Sequence, residues 1–373
     1  MKIALIDTVK NPKFYPVSLL KLGAWRKSLG DDCTLSNTLL PDEADEIWIT
    51  TVFTFDIPYS LAIVKEAKKR CNKVVVGGIA ASLIPDAFES DGVEVFKGLH
   101  PEAENFHPDH SLLGKFPGYS ISHTSRGCIR KCEFCMVKNL EPKFYFKPNW
   151  VDDIHPDSKN IVFYDNNWSA KPLKVMIEDG EKIESLRKST KVRKVDFNQS
   201  LDCRVLSPDP EKIKLIASLP IDPLRFAFDN NAEEEPLKNV LRQFAALGRK
   251  PDCSIDMLYN FEEHPKEIYH RMESIVKLKE ELHWRNMILF PMKFRPIHQI
   301  SATPYVGRRW TKTMLKGYRK ILTKTSTRSI VSLNNPEDFY YYYGKDENEF
   351  VALLNYPKLT SLLERKRGKV RWG

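Results

Sequence analysis

From Lys2 to Phe290 the chain alternates short apolar runs with stretches of helical spacing, and this rhythm restricts the fold more than any single residue. In the first hundred residues Lys2–Ile6 reads as a buried strand. Val17–Leu29 reads as a helix, with Leu19, Leu20, Leu22, Trp25 and Leu29 at helical spacing. Glu46–Phe53 is a second apolar run, Tyr59–Arg70 a helix, Lys73–Val76 a strand ending in Gly77-Gly78, and Val93–Lys97 a last short strand. This order predicts an α/β fold, a doubly wound parallel sheet with ligands at the carboxyl ends of its strands. Glu102–Tyr119, rich in His, Pro and Gly and without a period, reads as a linker. The rhythm then resumes, with strands at Tyr119–Thr124, Asn160–Tyr164, Lys194–Asn198, Leu224–Phe228, Ser254–Leu258 and Met287–Phe290. Helical stretches fall between them at Leu173–Lys188, Asp209–Ser218, Glu234–Leu247 and Lys266–Leu282.

A chain of 373 residues suits two domains with an appendage, and 42% hydrophobic residues suffice for their cores. No apolar run approaches the roughly 18 residues that span a bilayer, and the apolar start is too short for a signal peptide, so a cytoplasmic protein without a membrane partner is expected. Seven cysteines, an odd number with three crowded together, do not form a disulfide framework. Cys33, Cys71, Cys203 and Cys253 sit in apparent strands or strand edges, as small buried hydrophobes do. The net charge of +9 is confined to residues 301–373, which carry 15 Lys and Arg against 6 Asp and Glu. Such a basic extension recruits a polyanion such as nucleic acid, or serves only as a solvated tail. Tyr305, Arg308, Arg309, Trp310, Tyr318, Tyr340–Tyr343 and Arg365–Trp372 mix cations with aromatic rings, which suits phosphates and unpaired bases. A run of four tyrosines more often marks a buried strand.

The remaining three cysteines form the run Arg126-Gly-Cys-Ile-Arg-Lys-Cys-Glu-Phe-Cys135. Thiolates at Cys128, Cys132 and Cys135 can hold three irons of a [4Fe–4S] cubane and leave the fourth without a protein ligand. The rival is a structural zinc site completed by His100, His107, His110 or His123. Zinc sites usually pair two separate knuckles, and here there is one triplet.

The CxxxCxxC spacing, with Phe134 just before the last cysteine, resembles the signature of radical S-adenosylmethionine (SAM) enzymes. That resemblance implies a cluster whose open iron is chelated by SAM, and reductive cleavage to methionine and a 5′-deoxyadenosyl radical that abstracts hydrogen from a substrate. The six strand–helix units are similar to the family's partial (β/α)6 TIM-type barrel, with the cysteine loop after the first strand. The first hundred residues resemble the cobalamin-binding Rossmann domain of one branch: Gly77-Gly78 and the Lys97–Glu102 turn are similar to its glycine segments. No histidine occurs in the first 99 residues, however, so the DxHxxG axial-ligand motif is missing and a domain that only packs against the barrel is favoured over bound cobalamin. The Phe197–Arg204, Met257–Asn260 and Phe290–Met292 segments resemble a group of radical SAM proteins from bacteria and their phages. The expected domains are 1–101 (Rossmann-like), 102–118 (linker), 119–300 (barrel) and 301–373 (basic extension).

In a β/α barrel the site lies at the carboxyl ends of the strands. Asp165 and Asn166 stand where the family has a GGE segment that holds the SAM amino group, so they substitute in role only. Gln199, Asp202 and Arg204 are candidates for the SAM carboxylate and ribose, or Asp202 and Arg204 form a pair that closes the barrel end. Asp229 is a candidate ribose acceptor or part of a helix cap, and Phe134 lies near the adenine in the family. Tyr259, Lys293 and Arg295 are candidates for substrate or the methionyl carboxylate, and Met292 for the adenine or for ordinary core. No second cysteine cluster follows, which disfavours auxiliary-cluster enzymes. The leading expectation is a radical SAM enzyme acting on an unactivated C–H position, with a nucleic acid or nucleotide slightly preferred and a flavodoxin or ferredoxin as electron donor. The alternatives are a cobalamin-dependent methyltransferase, a peptide or small-metabolite modifier, and a noncatalytic metal-stabilised nucleic-acid-binding protein.

Overall fold

The computed structural model describes residues 1–356, apart from 11, 38–39, 90–92, 301–304, 328–329, 332 and 334. Arg365–Trp372 therefore lie outside the described residues. The chain divides into two compact units: Met1–Val162 with Thr190–Val192 and Pro296–Pro304, and Phe163–Ser189 with Arg193–Arg295 and Tyr305–Gly373.

In the first unit the order is β1 (Lys2–Asp7), α1 (Val17–Ser28), β2 (Asp32–Asn37), β3 (Glu46–Thr50), α2 (Ile57–Ala67), β4 (Lys73–Gly77), α3 (Ile79–Leu83), α4 (Asp86–Glu89) and β5 (Glu94–Val95). The strands form one parallel sheet in the order β2-β1-β3-β4-β5. Successive side chains point to opposite faces, so Ala4, Ile6, Ile47, Ile49, Val74 and Val76 pack with Ile63, Val64 and Ala67 of α2. Ile3, Leu5, Trp48 and Val75 pack on the other face with Leu19 and Leu22 of α1. Each buried Val, Leu or Ile side chain among these contributes about 1.5–3 kcal/mol, and burial on both faces makes the strands read as continuous apolar runs. The strand order reverses between β1 and β3, the switch point at which sheets of this kind bind ligands beyond the strand carboxyl ends.

The same unit continues through the expected linker, which contains short 3-10 turns at Ala103–Asn105 and His110–Leu113. It then holds β6 (Tyr119–Ser122), β7 (Ser125–Arg126), α5 (Val137–Leu140), β8 (Tyr145–Phe146) and β9 (Asn160–Phe163), with β6 beside β9 and β7 antiparallel to β8.

The second unit begins at the last residue of β9. It contains α6 (Leu173–Ser189), β10 (Lys194–Phe197), α7 (Cys203–Leu206), α8 (Pro210–Ser218), β11 (Leu224–Ala227), α9 (Glu234–Ala246), β12 (Cys253–Tyr259), α10 (Pro265–Glu281) and β13 (Met287–Lys293). Strands β11, β12 and β13 pair in parallel, and single bridges Val195↔Ile221 and Leu201↔Phe226 tie the β10 segment to β11 and its approach. All six strands expected from 119 onward are present. Helices α11 (Lys312–Thr325), α12 (Pro336–Tyr343) and α13 (Glu347–Asn355) follow, with β14 (Ser326–Thr327) and β15 (Ile330–Val331) extending the β13 edge antiparallel. Trp310, Tyr318, Tyr343 and Phe350 are buried, and α12 and α13 lie against α10. The four tyrosines therefore end a helix, correcting the expected strand. Asn335 caps it by accepting from the Asp338 N–H at 2.9 Å, and Pro336 opens it.

Candidate functional site

The cysteine loop is closed at its base by three devices. Strands β7 and β8 pair Ser125 with Phe146 and Arg126 with Tyr145. Gly127 sits at φ +74°, and a Cβ there would strike the Lys143 carbonyl oxygen, so only glycine fits. Its N–H donates to Glu141 Oε2 at 2.8 Å.

Beneath the loop lies a buried charge network. Arg126 donates through Nη2 to both oxygens of Glu104 at 3.0 Å and through Nη1 to Glu141 at 3.1 Å. Lys147 adds a 2.6 Å bond to Glu104, and Lys21 of α1 stands 3.8 Å from the same carboxylate. Although burial opposes ionisation, Arg126, Lys21 and Lys147 together pull the Glu104 carboxyl down to about 2. Lys21 goes the other way: burial, helped by Lys147, outweighs Asp153 and Glu104 and holds its ammonium down to about 8. Asp153 also accepts from Ser122 Oγ at 2.7 Å and meets His107 Nδ1 at 2.8 Å. Glu104, on a segment read as a linker, is the anchor that sequence reasoning missed; an acid in an aperiodic stretch of His, Pro and Gly gave no periodic signal.

Cys128, Cys132 and Cys135 are half-exposed, whereas Cys33, Cys71, Cys203 and Cys253 are buried as expected. Burial pushes the Cys135 thiol up, with smaller contributions from Cys132 and Cys128. The Cys135 N–H donates to the Cys132 carbonyl at 3.1 Å, and the Arg130 N–H points to Cys128 Sγ at 3.3 Å. The Arg130 N–H, aimed at sulfur, favours a thiolate at Cys128. Phe134 is half-buried within the loop. Among the described residues no three of His, Cys, Asp and Glu are grouped to hold a single metal ion. His107 is paired with Asp153, His110 meets Tyr15 Oη at 3.3 Å, and His100 is stacked on Phe96 at 4.6 Å. A cubane differs in that each thiolate binds a different iron, so this donor set fits a [4Fe–4S] cluster better than zinc.

Helix α3, directly after Gly77-Gly78, is a near neighbour of α5, directly after Cys135. The glycine turn and the cysteine loop are thus brought together in the first unit. Gly78 has φ +96°, and a Cβ would lie 2.6 Å from both Thr50 Oγ1 and the Thr51 carbonyl oxygen. Thr51, at the carboxyl end of β3, is fully buried, and its hydroxyl has no hydrogen-bond partner among the described residues. A buried hydroxyl beside the switch point is an orphan that a ligand would satisfy.

The other expected residues lie in the second unit. Asp165 is buried and Asn166 half-buried after β9. Gln199 is exposed, next to Ser200, which has φ +73° and donates to Asp256 at 2.8 Å. Asp202 caps α7, accepting from the Arg204 N–H at 3.1 Å and Nε at 2.8 Å and from Asn167 Nδ2 at 3.2 Å. Arg204 also donates to Glu233 at 2.6 Å. The structure thus brings Asp202 and Arg204 together and adds Asn167, Ser169, whose Oγ accepts from the Asp202 N–H at 2.9 Å, and Glu233; the Asn230-x-x-Glu233 spacing resembles a capping pattern. Asp229 is not a cap, since Asn230 fills that place. Its Oδ1 accepts from the Leu258 N–H at 2.9 Å. Burial, reinforced by Glu233, pushes its carboxyl up to about 7. Tyr259 is mostly buried, whereas Met292 and Arg295 are exposed, so Met292 is not core.

No family model matches the sequence, and no curated protein matches it. Among solved structures the chain is similar to the radical S-adenosylmethionine methyltransferase TsrM from Kitasatospora setae with cobalamin and a [4Fe–4S] cluster bound. The identity is 12% and the TM-score 0.60, over 85% of this chain and 75% of that one. The same enzyme with tryptophan substrate and the SAM analogue aza-SAM matches at 13% identity and TM-score 0.60, over 79% and 72%. At this identity the likeness establishes a shared α/β fold. No helix among the described residues is long and apolar enough to cross a membrane.

Proposed function

We propose that the chain is a radical SAM enzyme that modifies a C–H position of its substrate. The observation that carries this reading is the partition of the cysteines: three thiols half-exposed on one tightly closed loop, four buried elsewhere. When bound, a [4Fe–4S] cluster held by Cys128, Cys132 and Cys135 would leave one iron open for SAM and supply the electron for its cleavage. The chain's own part is to keep the three thiols in register, through Gly127, Glu141 and the Arg126–Glu104 pair beneath them. Phe134, Asp165, Asn166, Gln199, Asp202, Arg204 and Asp229 are the proposed SAM contacts. With its carboxyl near 7, Asp229 is partly protonated at neutral pH and can donate as well as accept a hydrogen bond. The electron donor would be of flavodoxin or ferredoxin type.

Anaerobic reconstitution tests this directly. About four irons and four acid-labile sulfides per chain are expected, with 5′-deoxyadenosine formed from SAM and dithionite, and Cys132→Ala should lower that product to background. Zinc without sulfide, or a colourless protein that leaves SAM intact, would sink the reading.

A second reading, a cobalamin-dependent methyltransferase, is favoured by one specific arrangement: the switch point carries the buried, unsatisfied Thr51 hydroxyl, and the neighbouring glycine turn leads to α3 beside the cysteine loop. The corrinoid would bind without an axial histidine from residues 1–99, which contain none. A corrinoid absorbance retained after gel filtration, and S-adenosylhomocysteine as a product, separate this reading from hydrogen abstraction alone.

A further inference from the structure

Tyr305–Thr325 contains seven Lys and Arg and no Asp or Glu. Folding sorts these residues sharply. Gly317, Tyr318, Ile321 and Thr325 turn inward on α11, and Gly317 is required because a Cβ would collide with the Leu354 backbone of α13. Outward face Lys312, Lys316, Arg319, Lys320 and Lys324, all exposed, after Arg308 and Arg309. The four lysines repeat every fourth residue, a stripe about 18 Å long at 1.5 Å per residue. Among the described residues Arg309 meets Glu267 at 3.9 Å, while Lys312, Lys316, Arg319 and Lys320 have no carboxylate within ion-pair distance.

This stripe runs on to a strand end. Tyr318 meets Tyr259 edge-on at 4.8 Å, and Tyr259 is in register with Lys293 at the carboxyl end of β13. Arg319 therefore joins Lys293 and Arg295. Burial and then the like charges of Arg295 and Arg319 hold the Lys293 ammonium below its ordinary value, so the three cations share one neighbourhood at that strand end. Trp310, Tyr318 and Tyr343 are buried and offer no stacking platform for bases, so the surface suits phosphates. Cations that lead to a barrel strand end suit a substrate better than an acidic electron donor, which has no need to reach that end.

We propose that the outer face of α11, through Lys312, Lys316, Arg319 and Lys320, binds the phosphate backbone of a nucleic-acid substrate, and that Lys293 and Arg295 take up a phosphate at the strand end. The backbone contact stands by itself; its link to modification rests on the enzymatic reading above.

The test is fluorescence anisotropy of the full chain with labelled single-stranded RNA and DNA of about 20 nucleotides, between about 50 and 200 mM salt. The triple variant Lys312→Glu/Lys316→Glu/Lys320→Glu should bind at least about tenfold more weakly, with the log K against log salt slope shallower by about two. Circular dichroism melting controls for folding. Lys174→Glu/Lys188→Glu/Arg285→Glu makes the same change in net charge on other exposed positions and should bind nearly as wild type. Lys293→Met should weaken binding about threefold; no change would remove the strand-end half of the proposal. Equal effects of the two triple variants, or an unaltered affinity and slope, would overturn it. So would loss of an acidic flavodoxin-type partner from the α11 variant with nucleic-acid binding intact. Failure of oligonucleotide binding leaves SAM cleavage by the wild type untouched, and the reverse also holds, so the two readings fail separately.

Discussion

Glu104 in the first unit and Asp229 in the second are both withdrawn from water, yet their surroundings push them in opposite directions. Glu104 collects Arg126, Lys147 and Lys21 and stays ionised to about 2. Asp229 has Glu233 as its strongest charged influence and a single backbone N–H from Leu258, and it holds its proton up to about 7. Burial is common to both, so the count of cations decides. A carboxylate locked as an anion is structural glue, whereas one that changes state near neutrality is available for ligand contact.

Removing the glue should have the larger effect. Glu104→Gln leaves Arg126 buried with a missing partner and should cost about 3–5 kcal/mol in urea unfolding, whereas Asp229→Asn should cost far less or stabilise. Comparable losses in the two variants would erase the contrast.

The pH dependence sharpens it next. Glu104 is depressed in the folded state, so its contribution, on the order of 3 kcal/mol, is present above about 4.5 and is lost as the pH falls toward 2. Asp229 is raised from 3.8 to about 7, so the folded state holds the extra proton and stability declines as pH rises through that window. Asp229→Asn should flatten that decline, which is on the order of 4 kcal/mol. Identical wild-type and Asp229→Asn stabilities at every pH from 4 to 7 would contradict the assignment. The most local effect is at the loop base: Gly127→Ala should cost more than the about 1–2 kcal/mol of its positive φ alone, because the added Cβ would strike the Lys143 carbonyl oxygen, with iron and sulfide content falling more than global stability. Normal cluster content would show that the loop tolerates a side chain there.

The strands were legible because most are apolar runs buried on both faces, and the four lone cysteines were legible as core. Strand β2 was passed over because Asp32–Asn37 is a largely polar edge. The tyrosine helix was misread because apolar run length outweighed the Asn335-Pro336 start signal. At the candidate site the cysteines were visible in the spacing. The anchors Glu104, Asn167, Ser169 and Glu233 were not, because each acts on a residue distant in sequence: Glu104 on Arg126, Asn167 and Ser169 on Asp202, Glu233 on Arg204. Such pairings have no local period.

Helix α11 is both a wall of the second unit, through Tyr318 and Ile321, and a row of cations on its outside. Anything gripping that row would also hold the wall shut, so occupancy should register as heat resistance. Saturation at a hundred times Kd would add about 2.7 kcal/mol to the unfolding free energy, and a melting curve then becomes a reporter of what the helix has caught.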